Sequence, residues 1–212
     1  MKAKRTIWIP FALGSILGLL SFVSSAVDFL IPLGFSGGAT GPQEIPLILS
    51  AALSGPLGLF IASLIHEIGI YFYIYRPQFS TDQMWSIAVL FTIADFAAHI
   101  LTLLVTAYSY RFLYQRARNK APFLVGWILI IAIYYFLLVL LQSALIRFVI
   151  PELPSFSTLF RDFLPEFQVV LIITMLILLV LPQRHHRPQW VQSRQTPDQN
   201  GGTPIGLLGD AP

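Results

Sequence analysis

Cysteine is absent from this 212-residue chain. That removes disulfides, thiolate metal sites and thiol nucleophiles. Charge is also scarce: Asp, Glu, Lys and Arg make up 11% of the residues, against about 25% in an average soluble domain. So few charges cannot coat a surface that faces water. No Gly-x-x-x-x-Gly-Lys-[Ser/Thr] loop occurs, so the chain cannot hydrolyse ATP by that route. His66-Glu67-Ile68-Gly69-Ile70 begins like the His-Glu-x-x-His helix of zinc proteases, but Ile70 stands where the second ligand must be. No enzymatic activity, cofactor or metal motif is expected. The basic residues form no patch for nucleic acid; they cluster at the ends of apolar blocks.

What is present is apolar: 56% of the residues, in long runs. A span needs about 20 such residues to cross a ~30 Å hydrocarbon core. Ile7–Leu30 qualifies. Lys2, Lys4 and Arg5 before it and Ser24-Ser25-Ala26 within it resemble a cleaved leader, but the run is longer than the ~7–15 residues of a leader core. It reads as a retained first span. A Gly- and Pro-rich loop follows, over residues 33–42. The run Ile45–Tyr75 is broken by Ser54-Gly55-Pro56, a turn signal, into a short helix Ile45–Leu53 and a full one, Leu57–Tyr75. Met84–Tyr110 and Pro122–Ile150 are further spans. Residues Ser155–Phe167 read as an amphipathic linker in the interface, interrupted by Pro165, before a last span Gln168–Leu181. The expectation is therefore an all-α polytopic membrane bundle of about six segments, one of them short, over residues 1–182. Residues 183–212, polar and rich in Gln, Pro and Gly, read as a disordered cytoplasmic tail.

Orientation follows from Lys and Arg. With Lys2, Lys4 and Arg5 inside, six segments also place Arg111, Arg116, Arg118, Lys120, Arg184 and Arg187 inside. Treating Ile45–Tyr75 as one span would leave the basic 111–120 loop outside. The charge pattern thus favours both termini in the cytoplasm and a multi-pass protein of the plasma (inner) membrane.

Ionisable groups in hydrocarbon cost about 2.5–3.5 kcal/mol each on insertion scales. Two expected helices carry them near mid-depth. His66 and Glu67 lie on one. Asp95 and His99 lie on the other, spaced i,i+4 and so sharing a face; Thr92, Thr102 and Thr106 extend that stripe. These four, with Glu44 beside the Gly-rich loop, are the candidate substrate-binding residues. The alternative is an interhelical network that only locks packing. In the first helix Gly14, Gly18, Ser21 and Ser25 share one face. Small residues let helices approach closely in lipid, either within the bundle or at a partner subunit. Asp28 is a further candidate for an outward-facing pocket.

The stretch from Glu44 to Ile65, EIPLILSAALSGPLGLFIASLI, resembles the substrate-binding (S) components of energy-coupling factor transporters: a proline-led apolar run, a Gly-Pro turn and a Gly/Ala-rich helix. The resemblance implies a six-helix bundle that binds a vitamin or metal ion from outside. It implies a lid formed by the 33–44 loop, and docking through Gly14 and Gly18 onto a transmembrane coupling subunit with two ATPases. Gly-Pro-Leu-Gly at 55–58 is also similar to the membrane sensor domains of LytS-type histidine kinases. A structural or assembly protein without substrate is the third possibility.

Overall fold

The computed structural model describes residues 2–30, 42–76, 82–116, 120–148 and 155–180. Its elements are α1 (Lys2–Leu30), α2 (Glu44–Ile70) running into a π-helical turn (Tyr71–Tyr75), α3 (Asp82–Arg116), α4 (Lys120–Arg147) and α5 (Phe156–Val180). Helix is what an apolar solvent demands, since each backbone N–H and C=O must be satisfied within the segment. Four stretches are long and apolar enough to cross a membrane: Ile7–Val27, Glu44–Tyr73, Trp85–Arg116 and Ala121–Leu145. The chain is an all-α polytopic membrane bundle, as its sequence predicts.

The second of these stretches is not one rod. At Gly55 the backbone takes φ 68°, ψ −163°, a region essentially reserved for glycine, and Pro56 follows. In an unbroken helix residues 43 and 66 would lie about 34 Å apart, at ~1.5 Å rise per residue. Here Ser21 Oγ is 2.7 Å from the Gln43 carbonyl oxygen and 2.9 Å from His66 Nδ1. The chain therefore doubles back at Gly55. Residues 44–54 form a first arm about 16 Å long by the same rise, half a membrane deep. Residues 56–70 form the second arm. The turn expected at Ser54-Gly55-Pro56 and the short helix expected before it are both present.

Contacts give the direction of each segment. A Cβ added at Gly14 would lie 2.4 Å from the Gly58 carbonyl oxygen, and one at Gly18 would lie 2.6 Å from that of Ala62. The Phe22 and Tyr73 rings meet at 5.3 Å. Hence α1 and the second arm of α2 run parallel. Helix α3 returns antiparallel to that arm, with Trp85 near Phe72 and Phe96 near Phe60. Antiparallel α4 brings Trp127 to Tyr110 and Gln142 to Asp95. Antiparallel α5 brings Thr174 to Trp127 and Glu166 to Tyr135. The start of α1, the Gly55 turn, the α3–α4 connection and the end of α5 all lie at one end of the bundle.

Two expectations are corrected. The small-residue face of α1 is not free for a partner. Gly14 and Gly18 lie against α2, and Ser21 and Ser25 are buried there, because only side chains this small permit backbone contact between two helices. Residues 155–167 are not a separate interfacial linker either. They begin α5, which continues through Pro165. The lost N–H is offset by packing: Phe163 and Glu166 are buried, and Phe167 meets Tyr135 edge to face. Of the expected 33–44 lid, residues 33–41 lie outside the described residues and Glu44 is the buried first residue of α2; the tail and the side chain of Asp28 also lie outside them.

Three outcomes follow. Gly55→Ala forces a side chain into a glycine-only conformation and is expected to lose about 1–3 kcal/mol in mixed-micelle unfolding. Gly126→Ala should lose less, because a movable Leu113 side chain is what obstructs it. Reporter proteins fused to the two termini should report the same side of the membrane.

Candidate functional site

The reversal at Gly55 carries Glu44 into the bundle interior. It is the first residue of α2, yet it sits level with Ser21, well short of the end of α1. Five ionisable side chains then converge, all buried: Glu44, His66, Glu67, Asp95 and His99. These are the five that the sequence nominates.

His99 is the hub. Its Nε2 lies 3.2 Å from Glu44 Oε1. Its Nδ1 faces three oxygens: the Asp95 carbonyl at 3.1 Å, Glu67 Oε1 at 3.1 Å and Asp95 Oδ1 at 3.5 Å. Tyr134 donates its hydroxyl hydrogen to Glu44 Oε2. The Gln142 amide donates to Asp95 Oδ1 at 2.7 Å. Both arms of α2 and helices α3 and α4 thus meet at one imidazole.

His66 is held separately. Ser21 donates its single hydroxyl hydrogen to the Gln43 carbonyl, so the hydrogen between Ser21 Oγ and His66 Nδ1 belongs to the histidine. That leaves His66 Nε2 as a lone pair. It is buried and has no hydrogen-bond partner among the described residues. Its ring stands edge-on to His99 at 5.9 Å. Ser25 donates to the Gln43 side-chain oxygen, so the small face of α1 also holds the N-terminal end of α2.

Glu67 is the least satisfied member. Neither carboxylate oxygen makes a hydrogen bond among the described residues. The close His99 Nδ1 already serves the Asp95 carbonyl. One turn on, the Tyr71 hydroxyl is likewise buried without a partner. Both residues line an open groove of about 550 Å³ between the second arm of α2 and α3, with their own oxygens beneath its largely apolar surface. Its walls include Phe72, Trp85, Val89, Ile93 and Phe96, and Arg76 stands toward the end where α3 begins. The π-helical turn starts at Tyr71, on this wall; such widened turns recur at functional sites.

The polar stripe on α3 divides in two. Asp95 and His99 join the cluster. Thr92, Thr102 and Thr106 bond back to carbonyls one turn earlier. Tyr134, Gln142 and Gln43 belong to the site without having been nominated. Tyr134 and Gln142 sit on one face of α4 at helical spacing, the one periodic signal available. Glu67, Asp95 and His99 each offer a donor atom within 4.8 Å of the others, a convergence of two helices that spacing along one helix cannot reveal.

Comparison with protein-family models, with curated proteins and with solved structures gave no match.

Tyr134→Phe removes the hydroxyl donor to Glu44. It is expected to cost about 1–3 kcal/mol, the price of a buried acceptor left short of a donor, as a lowered melting temperature in detergent. Tyr71→Phe, which removes a hydroxyl that has no partner, should leave that temperature unchanged or raise it.

Proposed function

We propose that the chain is a membrane-embedded binding subunit for a small solute, of the type its Glu44–Ile65 stretch resembles: the substrate-binding component of an ATP-driven uptake transporter. One observation carries this reading. The Glu67 carboxylate and the Tyr71 hydroxyl are one helical turn apart, buried and without hydrogen bonds among the described residues, just beneath the wall of one groove that both residues line. Unsatisfied buried polar groups are costly, and a bound solute with matching polar atoms would satisfy them. The volume, about 550 Å³, lies in the ~300–1,000 Å³ range of small-molecule sites. Trp85, Phe72 and Phe96 offer aromatic surface to a planar, vitamin-like molecule. Arg76 adds a cationic group to this lining.

A discontinuous helix that starts near mid-depth supports the same reading, since transporters build solute sites from such half-helices. In this scheme the ATPases are separate chains, and the coupling subunit meets the exposed outer row of α1, Ile16, Leu19, Leu20 and Val23, because its glycine face is occupied. The protein would reside in the plasma membrane with both termini in the cytoplasm.

The test is thermal melting in detergent against water-soluble vitamins and nucleobases. A true ligand at about 100 times its dissociation constant adds about 2.7 kcal/mol. That shift should vanish in Val89→Trp, which fills the cavity, and weaken in Tyr71→Phe, which leaves the unliganded protein as stable as before. No shift with any compound in a folded parent would remove the solute-binding reading in favour of a purely architectural bundle.

A further inference from the structure

Next to the cavity, the ring nitrogen His99 Nδ1 faces more oxygen than one hydrogen can serve. The Asp95 carbonyl, Glu67 Oε1 and Asp95 Oδ1 lie at 3.1, 3.1 and 3.5 Å from it. One N–H satisfies one of these three. Glu67 is left with both oxygens unbonded among the described residues, although it is only 2% exposed. The surroundings add carboxylates: Glu44 lies on the other side of the same ring. The polar neighbours Tyr134 and Gln142 supply hydrogen bonds without cationic charge. Three carboxylates confined in low dielectric around His99, with the His66 ring 5.9 Å away as the second imidazole of the cluster, favour a bound cation.

We propose that Glu67, Asp95 and His99 bind one divalent transition-metal ion, through Glu67 and Asp95 carboxylate oxygens and His99 Nδ1. These donor atoms lie within 4.8 Å of one another, so a modest inward rotation of the side chains brings them to the ~2.0–2.2 Å bonds that zinc makes with nitrogen and oxygen. The cation replaces the Nδ1 hydrogen and is shared by two carboxylates that the hydrogen could not both reach. The outer shell is already assembled. A metal-bound histidine donates its other ring N–H to a carboxylate; here Nε2 faces Glu44, which Tyr134 holds in turn. Gln142 orients Asp95 in the same way. One imidazole with two carboxylates suits zinc, manganese or cobalt over the thiolate-seeking ions. Three protein ligands leave a coordination position open, and Glu67, the shared wall, also lines the cavity. The site is supported by its own cluster of donor atoms and shares the Glu67 carboxylate with the solute-binding reading, whose other polar group, the Tyr71 hydroxyl, it leaves untouched.

The experiment uses the full chain in detergent, stripped with chelator, dialysed and titrated with Co²⁺ followed by visible absorption, with Zn²⁺ as competitor. The expected result is saturation at one Co²⁺ per chain, with the bands lost on adding Zn²⁺. Asp95→Asn and Glu67→Gln should abolish saturable binding while keeping the helical circular dichroism and the elution volume of the parent. Glu44→Gln, a positioning change, should weaken binding by about 10–100-fold without abolishing it. Tyr71→Phe, which alters the proposed solute site, should bind the metal like the parent. No saturable binding in a folded parent overturns the metal site, as does binding that survives both Asp95→Asn and Glu67→Gln. Either result leaves the solute-binding reading to its own melting test.

Discussion

An ionised group in hydrocarbon must find a partner, and in this bundle the partners converge on one side chain. His99 touches Glu44 from the first arm of α2, Glu67 from the second arm and Asp95 from its own helix. Tyr134 of α4 reaches the same point through Glu44. Hydrophobic burial cannot select such an arrangement in lipid, because the tails are as apolar as leucine. The polar contacts can, since a misplaced helix would leave a carboxylate stranded. The cluster therefore sets the register of α2, α3 and α4 against one another. The apolar core, with Trp127, Leu138 and Leu47 wholly enclosed, fills the space around that register.

The backbone serves the same end. Glu44 and Glu67 can share one imidazole only because Gly55 turns the chain back on itself. The second arm can lie close to α1 only because Gly14 and Gly18 present no side chain to Gly58 and Ala62. Close approach of α1 in turn brings Ser21 and Ser25 to Gln43 and His66. Residues that look like generic small-residue packing thus deliver the N-terminal end of a half-helix to the centre of the bundle.

Much of this was legible in the sequence, and the failures have physical causes. Run length exposed the helices, Ser54-Gly55-Pro56 exposed the reversal, and the scarcity of charge made His66, Glu67, Asp95 and His99 conspicuous. Depth was harder. Glu44 adjoins a Gly-rich loop, which reads as an outer position, and only the three-dimensional hairpin brings it inside. Tyr134 and Gln142 lie in an aromatic-rich apolar helix, where a tyrosine carries no distinguishing mark until its partner is known. The small face of α1 offered two uses, and spacing alone could not choose between them. Pro165 reads as an interruption, but one missing N–H is a smaller effect than the burial of Phe163 and Glu166 beside it.

The short first arm also constrains how the protein is made. Residues 44–54 are too few to cross the hydrocarbon, and their acidic first residue finds its partners 55 and 90 positions later in the chain. During synthesis Glu44 emerges well before His99 and Tyr134 exist. Until those residues follow, the carboxylate at the head of the hairpin lacks the partners that hold it in the finished bundle, so one of the earliest segments depends on some of the later ones for its place.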